Sequence, residues 1–237
     1  KNTSIAGEGT ANEGINSTRL GLKGDPSLAE HVQIARDLFL LEYTGGKLHI
    51  PTITTDKSVA LIKEAKKKGL QVSCSVSIHH LTLTDDELHG FDSNFKVCPP
   101  LRTKMDVKAL QKGVKTGVID LITSDHNPID IEYKNVEFSE AKAGVIGLES
   151  AFGALNSVLT LEDFIQNITC KPKAIFGIEN HSIIEKNTAE ITLFNPENEY
   201  TFTKEHLLST SKNSPFLNKN LKGKAYGIFS NNQLVLK

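Results

Sequence analysis

Residues 70–80 read Leu-Gln-Val-Ser-Cys-Ser-Val-Ser-Ile-His-His, and the reading of this stretch decides the fold. Leu70, Val72, Cys74 and Val76 alternate with Gln71, Ser73 and Ser75, the period-two pattern of a β-strand. Just upstream, Thr55 caps a helix that runs to Lys68, with Gly69 as its stop and Val59, Ile62 and Ala65 as its apolar stripe. Before that helix, residues 47–50 form a short strand ended by Pro51. Downstream, a third helix-loop passage leads to residues 95–98, which read as another strand, stopped hard by Pro99-Pro100. A helix over 106–115 and a strand over 118–123 complete the series. The order β, α, β, α, β, α, β predicts an α/β fold with parallel strands and right-handed crossovers.

Outward from this centre the chain changes character. Asp25, Pro26 and Gly45 bracket a helix whose stripe is Leu28, Val32, Ala35 and Phe39. Residues 1–24 are polar, glycine-punctuated and read as irregular. Residues 149–159 and 161–168 read as helices. The last 50 residues read as short β segments at 191–194, 199–202 and 224–237, with turns at Asn195-Pro196 and Asn231-Asn232. Residues 1–187 therefore form the main α/β unit and 188–237 a small β appendage.

With 237 residues, 38% of them hydrophobic and 23% charged, the chain has the makeup of a globular protein with a real core. A net charge of −1 offers no basic footprint for nucleic acid or an anionic membrane. No apolar run approaches the ~20 residues of a membrane span. Cys74, Cys98 and Cys170 are widely spaced and odd in number, which reads as reduced, mostly buried thiols in the cytoplasm. The sole methionine is Met105 and the chain opens on Lys1, so it reads as a fragment, a processed form or one piece of a larger protein.

In a parallel α/β fold, functional groups collect at the carboxyl ends of strands. His79 and His80 follow the strand over 70–76, and Asp125-His126-Asn127-Pro128 follows the strand over 118–123. Histidine and aspartate on neighbouring strand ends are what a divalent metal site uses; the aspartate can also take a proton from water. Each motif alone also has a plain structural reading. A histidine can cap a strand, and an aspartate before a turn can bond its own backbone.

In this order the segments resemble a known family. SVSIHHLTLTDDEL (75–88), KVCPPLR (96–102), IDLITSDHNP (119–128) and GVIGLES (144–150), with the opening stretch at 20–50 and the tail, are similar to the dihydroorotases of the amidohydrolase superfamily. The resemblance implies a (β/α)8 TIM-type barrel with a β-sandwich built from both chain ends. This chain would be its C-terminal half, about strands 5–8 plus a small sandwich segment. It also implies the reaction: dihydroorotate and N-carbamoyl-aspartate interconvert as a zinc-activated hydroxide attacks the ring amide. Asp125 then shuttles the proton and holds metal, His79 is a Zn2+ ligand, and His80 is its structural neighbour. Cys98 and Gly144 fall at substrate-binding positions, with Glu149 nearby.

Three positions depart from the family pattern. Thr52 stands for a histidine, Cys98 for an asparagine and Ile129 for a histidine. The first-strand His-x-His and the bridging carboxylate have no counterpart in this chain. Two readings follow. One is a cyclic amide hydrolase of a small-molecule substrate, its barrel completed by the missing N-terminal half or by a second copy in a homo-oligomer. The other is a non-catalytic homologue acting as a scaffold, for example beside an aspartate transcarbamoylase.

Overall fold

The computed structural model describes residues 1–179 and 183–236. Its first 25 residues hold four short elements: helix α1 (Thr3–Ala6), strand β1 (Ala11–Asn12), helix α2 (Ile15–Leu20) and strand β2 (Gly24–Asp25). The sequence pattern leaves this region irregular because long-range polar contacts order it. The buried Arg102 donates from Nη1 to Asn12 Oδ1 at 2.9 Å and to the Asp25 carbonyl at 2.8 Å, and from Nε to Thr54 Oγ1 at 3.2 Å. The Asp25 carboxylate, expected as a helix cap, is buried and paired with Lys1 instead.

Helix α3 (Leu28–Thr44) follows, but not on the expected face. Its buried residues are Ala29, Glu30, Ile34, Leu38 and Leu41, whereas Leu28, Val32 and Phe39 are exposed. The cause is Glu30, whose carboxylate accepts from the Thr54 amide (2.8 Å), the Thr54 hydroxyl (2.5 Å) and the Ser58 hydroxyl (2.5 Å). A buried carboxylate is tolerated only when so bonded, and here it sets which side faces inward.

The central layer runs β3 (Leu48–Ile50), α4 (Asp56–Lys67), β4 (Val72–Ser77), α5 (Ile78–Thr82), α6 (Lys104–Lys115) and β5 (Leu121–Thr123), which keeps the predicted order except for one strand. Strands β3, β4 and β5 are parallel neighbours, with Leu48 opposite Val72 and Ser75 opposite Leu121. Thr55 caps α4 and Thr103 caps α6 through their hydroxyls. Ile53, Ile62, Val76, Leu101, Leu110, Ile119 and Phe164 are among the buried residues of one continuous core.

The strand expected at 95–98 is not formed, so the sheet has three strands where the sequence suggests four. Residues 93–95 make a 3-10 turn, and the buried Lys96 ammonium donates to the carbonyls of Phe138 (2.8 Å) and Ser139 (2.7 Å). The segment is thereby pinned to a loop, and β4 pairs directly with β5.

The remainder comprises α7 (Ile131–Lys134), α8 (Ala151–Asn156), α9 (Leu161–Ile168), α10 (Cys170–Phe176), β6 (Ile191–Thr201), β7 (Asn220–Ser230) and β8 (Gln233–Leu236). β6, β7 and β8 form an antiparallel meander. Asn195-Pro196 is not a turn but an irregularity inside one long strand, where register slips between Asn195 and Glu199. Asn231-Asn232 is the expected tight turn, both residues left-handed at φ 51° and 59°. Cys74 is buried, but Cys98 and Cys170 are exposed, against the expectation of mostly buried thiols. Among the described residues no helix is long and apolar enough to cross a membrane.

His80 ties the carboxyl end of β4 to the Pro-Pro loop. Its Nε2 faces the carbonyls of Pro99 (3.0 Å) and Pro100 (3.3 Å), so it carries the proton; Nδ1 then accepts from the Ser77 hydroxyl at 2.6 Å. Burial is the main cause that pushes this imidazole down to about 4 from 6.5.

Two stability outcomes are expected. Ile62→Ala, at a fully buried position, should lower the unfolding free energy by about 2–5 kcal/mol in denaturant titrations. The depressed His80 value means that the unfolded chain binds the proton first. Stability is therefore full above pH 6.5 and falls as pH drops toward 4. Denaturant titrations across that window should show a steeper loss for the wild type than for His80→Gln.

Candidate active site

β4 and β5 end in register, with Ser77 opposite Thr123. Two residues beyond each strand end lie His79 and Asp125, whose Nε2 and Oδ2 are 3.5 Å apart. His79 sits in the first turn of α5, which the Ser77 hydroxyl caps by accepting from the His80 amide. It is 1% exposed, and neither ring nitrogen has a hydrogen-bond partner among the described residues. Burial, with His80 beside it, holds the imidazole well below its usual range. The ring is therefore neutral and keeps a lone pair free. Asp125 is half-buried, which raises its carboxyl above the usual range. Its backbone is left-handed at φ 46°, a conformation aspartate tolerates better than most residues.

The Asp125 loop is held to the loop over 144–149. His126 Nδ1 accepts from the amides of Gly147 (3.3 Å) and Leu148 (3.2 Å), and the Asn127 amide donates to the Val145 carbonyl at 2.8 Å. The nearby Glu149 Oε2, 3.9 Å from that same nitrogen, faces a lone pair already in use; Glu149 Oε1 accepts from the Ser209 amide instead. Gly147 permits this closeness, since a Cβ there would meet the Ser124 carbonyl oxygen at 2.6 Å. Gly144, at φ 142°, would place a Cβ 2.5 Å from Asn127 Nδ2.

The candidate residues thus divide. His79 and Asp125 are brought together. Gly144 lies on the loop that clasps Asp125, with its amide donating to the Lys96 carbonyl at 2.9 Å. Cys98 lies two residues beyond Lys96, exposed and joined to Pro99 by a cis peptide. Thr52 ends the β3 side at φ 50°, strained for a β-branched residue, and its amide donates to Ser75 Oγ at 3.1 Å. His49 is elsewhere: it bonds Ser73 Oγ at 2.8 Å in a cavity of about 630 Å³ at the opposite end of the strands. Local sequence motifs give no hint of Asn213, whose side chain reaches into the same loops from far along the chain.

Zinc asks for about three protein ligands and an open position. Among the described residues no group of three or more His, Cys, Asp and Glu side chains is arranged to hold a metal. The unpartnered His79 ring beside a carboxylate oxygen nevertheless fits one side of such a site, with donors from outside the described residues to complete it.

No family model matches the chain. It is 41% identical to a dihydroorotase of Trichlorobacter lovleyi over 226 residues, covering 93% of this chain and 53% of the relative. It is 43% identical to a dihydroorotase of Caldanaerobacter subterraneus over 225 residues, covering 92% and 52%. The chain thus spans about half the length of the curated relatives it matches. Among solved structures, the L-hydantoinase of Arthrobacter aurescens superposes with a TM-score of 0.84 at 23% identity, over 91% of this chain and half of its own. The inactive dihydroorotase-like domain of a Chaetomium thermophilum CAD-like multifunctional protein superposes at 0.63 and 22% identity, over 86% and 57%. The fold is therefore that of these solved structures, and over more than nine-tenths of its length the chain is a relative of the dihydroorotases, matching their C-terminal part.

Proposed function

We propose that the protein to which this chain belongs is a cyclic amide hydrolase of the dihydroorotase type, interconverting dihydroorotate and N-carbamoyl-aspartate. Residues 1–187 would contribute three strands to the C-terminal half of a (β/α)8 barrel, and residues 188–237 a part of its β-sandwich. The observation that carries this reading is the unpartnered, neutral His79 ring 3.5 Å from the Asp125 carboxylate at adjoining strand ends. His79 and Asp125 are the residues of this chain that would hold zinc. Zinc, when bound, supplies Lewis acidity toward the ring carbonyl and toward water.

In hydrolysis the Asp125 carboxylate takes a proton from the attacking water as its oxygen bonds to the carbonyl carbon. The same carboxyl then gives that proton to the ring nitrogen as the carbon–nitrogen bond breaks. Partial burial suits Asp125 to the first step, because a carboxylate whose acid is raised above the usual range is a stronger base toward the attacking water. On this reading the exposed Cys98 and the Gly144 loop would border the substrate. The reading carries with it the cytoplasmic setting suggested by the cysteines.

A complementary barrel half, or a second copy in a homo-oligomer, would cover what this chain leaves open. The edges of β3 and β5 are unpaired within their sheet, and α3 exposes Leu28, Phe39, Leu40 and Tyr43. Exposed edges and apolar patches of this kind call for a partner.

The test is turnover of N-carbamoyl-aspartate by the complete zinc-loaded protein. Asp125→Ala should lower kcat by about 10²–10⁴-fold while the protein stays folded. His79→Ala should lower the zinc content measured by atomic absorption. Near-normal turnover in Asp125→Ala would remove its assigned role. A wild-type protein that assembles stoichiometrically but neither binds zinc nor turns over would favour the scaffold reading, to which Thr52, Cys98 and Ile129 and the inactive Chaetomium domain point.

A further inference from the structure

Asn213 lies in the segment over 202–219 that leads from β6 to β7, far from Asp125 in sequence. Its side chain is 4% exposed and fully engaged. Nδ2 donates to the carbonyls of Asn127 (3.1 Å) and Gly144 (3.0 Å). Oδ1 accepts from the Ile129 amide (3.3 Å) and faces the Ser211 hydroxyl (2.5 Å). The backbone carbonyl of Asn213 accepts from the Ile146 amide at 3.1 Å. Only one amide orientation satisfies these partners, since two carbonyls can face the NH2 end but not the oxygen. The side chain therefore clamps residues 127 and 129 of the Asp125 loop to residue 144 of its neighbour, while the Asn213 main chain holds residue 146.

We infer that Asn213 is a positioning residue for Asp125, by which the C-terminal segment holds the catalytic loop in place. The inference rests on the role proposed for Asp125. Asp125 is left-handed, a conformation that costs a non-glycine residue some strain and that the surroundings help to hold. On the carboxyl side of Asp125 the restraints include the bonds to His126, the Asn127–Val145 bond, the Asn213 amide and the Ser211 hydroxyl on the Ile129 carbonyl. The first two join the loops to each other. Asn213 anchors the pair to a third segment, which Glu149 also reaches through the Ser209 amide. Without it the carbonyls of Asn127 and Gly144 lose a buried donor, and the tie from residues 127–129 to the C-terminal segment is weakened. A shift of about 1 Å in a proton-transferring group can cost up to about 10²-fold in rate.

The experiment compares Asn213→Ala and the near-isosteric Asn213→Asp with Leu221→Ala in the complete protein. Leu221 is buried on β7 and serves as a control for plain destabilisation. Amide hydrogen exchange is followed over 124–129 and 144–148, with steady-state kinetics alongside. The expected result is exchange in both loops faster by roughly tenfold or more in the Asn213 variants. Their kcat should fall by roughly 10–10²-fold with KM within about threefold, the pattern of a misplaced catalytic group. Leu221→Ala should lower the melting temperature and reproduce neither effect. Unchanged exchange in the two loops, an equal kcat loss in Leu221→Ala, or failure of both Asn213 variants to fold would overturn the assignment. A wild-type protein without turnover sinks the proposed reaction alone, and the exchange data then decide whether Asn213 holds the loop.

Discussion

The register between β4 and β5 is the constraint on which the rest of the structure depends. In parallel strands a shift of one residue sends every side chain to the other face. Ser77 stands opposite Thr123, so the residues two positions on, His79 and Asp125, leave the sheet side by side. The opposite end of the pair is locked by polar contacts. Asp120 accepts from the Cys74 amide at 2.9 Å and from Lys66 at 2.7 Å, and Asn167 donates to the carbonyls of Ile119 (2.9 Å) and Asp120 (3.0 Å). The geometry of the candidate site is thus decided partly by residues at the far end of the strands.

Above the sheet, the same logic governs the loops. Their buried apolar residues, such as Val97, Val145 and Ile146, join the core, and buried cations bonded to main-chain carbonyls fix the intervening backbone. Lys134 donates to the carbonyls of Ser93 (2.6 Å), Lys142 (3.1 Å) and Gly144 (3.1 Å), and burial pulls its ammonium down to about 8. Lys96 and Arg102 act alike toward Phe138, Ser139 and Asp25. Each bond satisfies a carbonyl that irregular backbone would otherwise bury without a partner. Irregular loops are thereby given a single arrangement, which a site built at strand ends requires.

This division explains what was legible in the sequence. Elements whose order comes from local chemistry stand where the pattern puts them: the Thr55 and Thr103 caps, the alternation at 70–76 and the Asn231-Asn232 turn. The pairing of His79 with Asp125 follows from the same pattern, because position after a strand end is a local property. What was misread depends on partners distant in the chain. The stripe on α3 points outward because Glu30 meets Thr54 and Ser58. Residues 95–98 resemble a strand, but Lys96 is drawn to carbonyls over 40 residues away. Asn213 escapes notice because its meaning lies in four groups brought to it by three separate segments.

The donor count and the open sheet express one incompleteness. Three parallel strands leave two free edges, and two donors leave a tetrahedral metal short of a protein ligand. On the proposed reading, a strand that pairs in parallel with β3 or β5 would bring its own carboxyl end toward the level of His79 and Asp125. Covering the apolar edge and completing the ligand set are then one event. On the proposed reading, zinc binding should strengthen association of the two halves, because a ligand that binds only the assembled form stabilises it by mass action. Metal affinity and subunit affinity would be linked to the same extent in both directions.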